Sequence, residues 1–176
     1  MASAGETLEF IPINIAVLTV SDTRTEHTDT SGRLLAEQLR AAGHRLAEKV
    51  ILPDNLYQIR ALVSRWIADA AVQAVIVTGG TGLTDRDRTP EAITPLLDKI
   101  IDGFGEVFRA ASQQEIGSST VQSRVMAGIA NATFIFCVPG STHACQVAWD
   151  AILKDQLDSR HKPCNFVQLL PRLRRE

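Results

Sequence analysis

Val75-Ile76-Val77-Thr78-Gly79-Gly80-Thr81-Gly82-Leu83-Thr84-Asp85-Arg86-Asp87-Arg88-Thr89-Pro90 is the stretch whose reading decides the fold. Val75 to Val77 are consecutive β-branched residues and read as a buried strand. From Thr78 to Gly82 nearly all side-chain bulk disappears. Glycines at 79, 80 and 82 allow positive φ and let another molecule approach the backbone closely. Thr89-Pro90-Glu91 reads as a helix start, with Thr89 as N-cap, Pro90 at the first helical position and Glu91 near the positive end of the dipole. Strand, glycine loop, acidic linker and helix together make a place where exposed backbone N–H groups hold an anion, phosphate foremost. Asp85 and Asp87 share the loop, and a carboxylate beside a phosphate implies a divalent cation. The alternative is a turn whose glycines only solve geometry. Neither common phosphate loop fits: Leu83-Thr84 follows the last glycine where a Walker loop needs Lys and then Ser or Thr, and G-G-x-G is not G-x-G-x-x-G.

Upstream of this stretch, Ile13 to Val20 reads as a first buried strand that ends in Thr19-Val20-Ser21-Asp22. Thr30 or Ser31 caps a helix whose Leu35, Leu39 and Ala42 share a face, and Gly43 ends it. His44 to Leu52 is less apolar and reads as a second strand nearer an edge. Pro53-Asp54-Asn55 turns into a helix with Ile59, Leu62, Val63, Trp66 and Ile67 at helical spacing, which places Trp66 in the core. Ala74 to Thr78 is the third strand.

Downstream, Ile93, Leu96, Leu97, Ile100 and Ile101 repeat the helical spacing, with Pro95 expected to bend that helix. Gly103-Phe104-Gly105-Glu106 interrupts the pattern, and Val107 to Gln114 resumes it. Val125 to Ile129 and Thr133 to Val138 are apolar runs so close together that they predict a hairpin and one antiparallel strand. Pro139-Gly140-Ser141-Thr142 leads into a last helix with Ala144, Val147, Ala148, Ala151 and Ile152 as its buried face. Trp149 falls off that stripe and is a candidate subunit contact.

The order predicts an α/β fold: a mainly parallel sheet with helices on both faces and one antiparallel hairpin strand. At 176 residues the chain is expected to form a single domain over 1–176, with flexible tails at about 1–10 and 171–176. Apolar residues make up 45% and charged residues 22%, which is ordinary globular composition. A net charge of −2 gives no reason to expect a nucleic-acid partner. No apolar run approaches the roughly 20 residues that cross a bilayer, and Met1 to Glu9 does not read as a secretory signal. Cys137, Cys145 and Cys164 form no C-x-x-C pair, which fits a reducing cytoplasm. The four histidines are scattered without metal-binding spacing.

Loops carrying Ser21-Asp22, Pro53-Asp54, Gly79 to Asp87 and Pro139-Gly140-Ser141 all leave the carboxyl edge of the predicted sheet, so they predict one crevice. No Ser or Cys on them stands beside a histidine, which argues against acyl transfer. Carboxylates with an amide-rich loop suit phosphoryl or nucleotidyl transfer. Asp54 and Asp87 are the expected metal-facing pair. Each also has a purely structural reading, Asp54 as a cap of the following helix and Asp87 as a brace of its own loop. A phospho-receiver shares the alternating pattern but needs an Asp where Thr78-Gly79 ends the third strand.

Several of these segments resemble the MoaB/MogA family of molybdenum cofactor biosynthesis, which includes the G domain of gephyrin. They are Ala16 to Asp22, Asp29-Thr30-Ser31-Gly32, Thr78 to Thr84, Gly103 to Arg109, Gln122-Ser123-Arg124 and Pro139 to Thr142. The resemblance implies a trimeric or hexameric α/β protein that binds molybdopterin. For MogA-like members it implies adenylylation of the pterin with Mg-ATP and release of pyrophosphate. It puts the family's acidic positions on Asp54 and Asp87, and lines the crevice with Ser21, Asp22, Gly79, Gly80, Thr81, Gly82, Gly140 and Ser141. Glu106 and Ser123 lie in family motifs and are carried over as ligand-binding. Pro139-Gly140-Ser141-Thr142 departs from the P-G-x-P of MogA-like sequences, so a carrier or scaffold that binds the pterin without catalysis is the alternative.

Overall fold

The computed structural model describes residues 8–176. Six strands form one sheet: β1 (Asn14–Val20), β2 (Arg45–Leu52), β3 (Ala74–Thr78), β4 (Lys99–Ile100), β5 (Met126–Ala130) and β6 (Thr133–Val138). Their order is β2-β1-β3-β6-β5-β4. The pairs β1/β2, β1/β3 and β3/β6 are parallel, whereas β5 is antiparallel to both β6 and β4. β5 is therefore the one strand that runs against the rest, as the hairpin predicts. Asn131 and Ala132, at φ of 45° and 62°, make the primed two-residue turn that matches strand twist.

Successive residues of a strand face opposite ways, and here both faces are covered. Ile15 and Val17 of β1 join one core with helix α1 (Thr30–Ala41), helix α4 (Asp102–Ile116) and the last helix. Ala16 and Leu18 join the other core with α2 (Leu56–Ala68) and α3 (Thr89–Ile93). This is why β1, β3 and β6 are continuous apolar runs rather than alternating ones. Trp66 of α2 is buried in the second core, as its spacing requires.

Four local expectations change. First, the N-cap of α1 is Asp29, whose carboxylate accepts from Gly32 N; Ser31 instead donates its hydroxyl to the Gly140 carbonyl at 2.8 Å. Gly43 does end that helix, at φ +95°. Second, no helix spans 93–101. α3 stops at Ile93, a 3₁₀ turn runs over Thr94–Leu96, and β4 follows. Pro95 cannot donate an N–H, and its ring opposes a further α turn. Ile100, taken as part of a buried stripe, is 57% exposed on the sheet edge. Third, Gly103-Phe104-Gly105-Glu106 does not interrupt a helix but opens α4. Fourth, Trp149 is not a surface contact. It is 2% exposed, and the buried stripe is Cys145, Ala148, Trp149, Ile152 and Leu153. That stripe keeps helical spacing but lies one position out of phase with the expected one. It runs through α5 (Thr142–Ala148) into a π turn at Trp149–Leu153 and a short α6 (Lys154–Gln156).

The ends of the described chain return to the body. The Ser159 hydroxyl donates to the Glu9 carbonyl. Arg175, in the expected solvated tail, donates to the Val72 carbonyl at 2.8 Å and to the Thr133 hydroxyl at 3.2 Å. The first seven residues of the expected N-terminal tail lie outside the described residues.

Candidate functional site

After β1 the chain moves to one side for β2, then returns past β1 to the other side for β3. The carboxyl ends of β1 and β3 therefore diverge at a topological switch point, where open α/β sheets hold ligands. A cleft of about 440 Å³ opens there. Its floor is Thr19, Gly79 and Pro139-Gly140, and one wall is Phe108, Ser112 and Ile116 of α4.

Each glycine of the loop has its own reason. Gly79 has φ +100°, and a Cβ on it would fall inside van der Waals contact of the Val20 carbonyl oxygen. Gly80 has φ +65°, and its Cβ would lie 2.8 Å from Asp54 Oδ2. A Cβ on Gly82 would lie 2.6 Å from Asp87 Oδ2. Both carboxylates thus press on the loop, and side-chain bulk at 80 or 82 would displace them. The loop carbonyls are occupied: Gly79 O accepts from the Thr89 hydroxyl at 2.8 Å and Gly80 O from Thr89 N at 2.9 Å. Thr89 is accordingly a loop brace and not the expected N-cap; Arg88 holds that position, without a side-chain cap. Gly80 and Thr81 donate to no backbone carbonyl among the described residues, and both line the cleft.

The two acids differ in environment. Asp54 is 8% exposed and accepts from Arg88 N at 3.1 and 3.3 Å. Burial pushes its pKa up; the Arg88 N–H opposes this, and the charges of Asp87 and Asp22 push it further, for a net rise. Asp87 accepts from the Thr84 hydroxyl at 2.6 Å and from Thr84 N at 2.8 Å. The Thr84 hydroxyl leads in holding its pKa below the usual carboxylate range, against a smaller effect of burial. Asp54 is not the cap of α2: Asn55 is, accepting from Tyr57 N and Gln58 N. Asp87 does brace its own loop.

Of the other predicted residues, Ser21, Gly79, Gly80, Thr81, Gly82, Ser123, Gly140 and Ser141 line the cleft with Asp87. Two do not. Asp22 pairs with Arg86 through both oxygens, at 3.0 and 2.6 Å, and accepts from Asp54 N at 3.1 Å, so it supports Asp54 from outside the cleft. Glu106 is exposed on α4, away from the cleft lining. A helical residue faces where its phase directs it, and Phe104 and Phe108 take the inward face of α4.

Sequence reading missed Arg24, Asp29, Ser31 and Arg124. Asp29 is 1% exposed and lies on the cleft floor, where it accepts from the Thr19 hydroxyl at 2.9 Å, from Gly32 N at 2.9 Å and from Lys49 at 2.8 Å. Burial alone would raise its pKa, but Lys49, Gly32 and Thr19 together outweigh it and hold the group low. Its signal was available, because a lone acid stands directly before a helix. Arg124 lies in the Gln122-Ser123-Arg124 segment of the resemblance, but nothing local showed its role, because its partners come from 33 to 42 positions away. Among the described residues no three or more His, Cys, Asp or Glu side chains are grouped to hold a metal ion. No described helix is long and apolar enough to cross a membrane.

Residues 16–159 match a family model described as "Probable molybdopterin binding domain". The chain is 56% identical over 158 residues to molybdenum cofactor biosynthesis protein B of Escherichia coli K12, covering 90% of this chain and 93% of that protein. Identity to the protein of the same name from Bacillus subtilis is 42%, over 82% of this chain and 86% of the relative. A crystal structure of a molybdenum cofactor biosynthesis protein B superimposes with a TM-score of 0.81 at 41% identity, covering 84% of this chain and 92% of that one. The tungsten cofactor synthesizing protein MoaB from Pyrococcus furiosus superimposes with a TM-score of 0.74 at 36% identity, covering 82% and 92%. Because the model match and the relatives span most of the chain, and the glycine loop and rim of the cleft fall inside the matched span, the chain belongs to the molybdopterin-binding domain family of molybdenum cofactor biosynthesis, on its MoaB/MogA branch.

Proposed function

We propose that the cleft binds molybdopterin and that the protein adenylylates it with Mg-ATP. In that reaction an oxygen of the pterin's terminal phosphate attacks the α-phosphorus of ATP. The bond from that phosphorus to the bridging oxygen breaks, pyrophosphate leaves, and a phosphoanhydride joins pterin phosphate to AMP. The observation that carries this reading is the packing of two carboxylates of opposed pKa shift against one glycine loop with free N–H donors.

The residues fit a hard cation. Mg²⁺ takes one or two carboxylates and fills its remaining positions with water and phosphate oxygens, so a cage of three acids is not required. Asp54 and Asp87 would hold it, and the ion would supply neutralisation of phosphoryl charge. The Gly80 and Thr81 N–H groups hold phosphate oxygen. Phe108 and Ile116 cover one side of the cleft with apolar surface, and the hydroxyls of Ser112, Ser119 and Ser123 along that wall suit the polar edge of a pterin. Little covalent work is asked of any side chain, as phosphoryl chemistry allows.

Incubation with molybdopterin, ATP and Mg²⁺ should release pyrophosphate. Asp87→Ala should remove turnover and leave the melting temperature nearly unchanged, because the Asp87 carboxylate bonds only within its own loop and its backbone carbonyl stays in place. Full activity in that variant would end the metal assignment. A second reading, a carrier that binds the pterin without chemistry, is favoured by the Arg88 N–H on Asp54 and the Thr84 N–H and hydroxyl on Asp87, which already satisfy both acids from within. Tight pterin binding with no ATP binding would select it. Assembly as a homotrimer or homohexamer in the cytoplasm, with other proteins of the pathway as partners, belongs to the same proposal. Sedimentation tests its oligomeric part.

A further inference from the structure

The glycine loop cannot hold itself. Its glycines have the widest conformational freedom of any residue, and few of its peptide groups belong to a strand or helix. One end is fixed by Thr89. The other end, where Asp87 lies, is flanked by the Asp22–Arg86 ion pair and the Arg88 N–H to Asp54, but its own carbonyls at 82 and 87 are held by one side chain from a different part of the chain. Arg124, just before β5, donates Nε to the Gly82 carbonyl at 2.7 Å and Nη2 to the Asp87 carbonyl at 2.8 Å. Its Nη1 pairs with the Glu91 carboxylate in the first turn of α3. One planar guanidinium thus ties both ends of the segment 82–87 to the helix that follows.

We infer that Arg124 is a positioning residue, a guanidinium clamp that sets the shape of the glycine loop and so places Asp87 for the reaction proposed above. Three features support this. The fork reaches three acceptors that no other side chain reaches together. Two of them are carbonyls, so charge pairing alone does not explain the arrangement. And Arg124 stands outside the cleft lining, beside a smaller hollow it shares with Thr84, Asp87 and Glu91, so its bonds reach the cleft through the loop. A lysine carries the same charge but lacks the rigid fork that meets separated acceptors in one plane.

The test uses the full chain with Arg124→Lys and Arg124→Ala. Hydrogen exchange at the bonded loop amides of Gly82, Thr84 and Asp87 should rise at least about tenfold in both variants, with β1 and β3 amides unchanged. Turnover should fall about 100-fold in both, the loss expected for an ångström-scale misplacement. The affinity for molybdopterin should stay within about threefold, so that kcat carries the loss. Added guanidinium should restore much of the turnover of Arg124→Ala and none of that of Arg124→Lys.

Unchanged exchange at the loop overturns the inference. So does wild-type turnover in Arg124→Lys, or a loss that tracks exchange across the whole sheet. The turnover arm rests on the adenylylation reading, whereas the exchange arm does not. Wild-type protein that releases no pyrophosphate therefore removes the reaction, and the clamp is still decided by the exchange.

Discussion

At the scale of single residues the site depends on where side chains are missing as much as on where they stand. Gly79 is the strictest case, because its φ of +100° and the Val20 carbonyl both exclude a Cβ. Gly79→Ala should destabilise the protein by about 2 kcal/mol or more, the left-handed conformation alone accounting for 1–2 kcal/mol. Urea titration would read it as a lower midpoint with an unchanged slope. Asp54 makes the opposite kind of prediction. Its folded pKa is raised, so the folded state binds the proton more tightly than the unfolded chain. Stability contributed by that proton is complete below the unfolded carboxylate pKa and is lost as pH rises through the raised folded value. At neutral pH Asp54→Asn should therefore stabilise the fold while removing Mg²⁺-dependent turnover. Thermal melts at pH 7 beside pyrophosphate assays would show both, and a less stable variant would contradict the assigned cause. A buried acid kept at the expense of stability is what a site retained for chemistry looks like.

At the scale of elements, the loop from β1 to α1 is organised by Asp29 and Lys49. Lys49 comes from the edge strand β2 and is also paired with Glu26 at 3.2 Å. Burial works to lower the Lys49 pKa, but Asp29 and Glu26 outweigh it and raise it. Asp29→Asn should cost about 3 kcal/mol at pH 7, since it leaves the lysine charge half-buried without its nearest partner. The sign of the pH dependence follows from the two shifts. The Asp29 contribution is present above the unfolded carboxylate pKa and disappears as pH falls through its lowered folded value. The Lys49 contribution is present below the ordinary lysine pKa and disappears as pH rises through its raised value. Denaturation of wild type and variant should therefore differ most near neutrality and converge in acid. The same loop supplies Ser21 and Arg24 to the cleft, so the variant should also weaken pterin binding. The segment around Pro95 shows the limit of periodicity at this scale. Its apolar spacing is helical, yet the proline ends the helix and the freed residues pair with β5 as an edge strand.

At the scale of the whole molecule, the switch between β1 and β3 creates the cleft, and the ligand should in turn stabilise the fold. Molybdopterin at 100 times its dissociation constant should add about 2.7 kcal/mol, read as a concentration-dependent rise in melting temperature. No rise would remove the pterin from this cleft. Much of this architecture was legible beforehand. Near-continuous apolar runs at 15–20, 74–78 and 133–138 read as strands covered on both faces, and the spacing in α2 admits one buried stripe. The glycine loop and its two acids were visible because anion binding needs small residues near charge. Phase errors arose where local pattern was ambiguous. The stripe at Ala144 and the stripe at Cys145 are both apolar, and only packing against the sheet and α4 put Trp149 inside. Asp22 and Glu106 were read into the cleft because motifs carry spacing and not direction. Local chemistry along the chain was enough to determine the five longer strands, the buried face of α2 and the acidic glycine loop, since each depends on neighbours a few positions apart. Tertiary structure alone decided that Arg124 holds that loop, that Lys49 holds Asp29, and which acid faces the cleft, because those contacts join residues whose proximity exists only after the sheet has assembled.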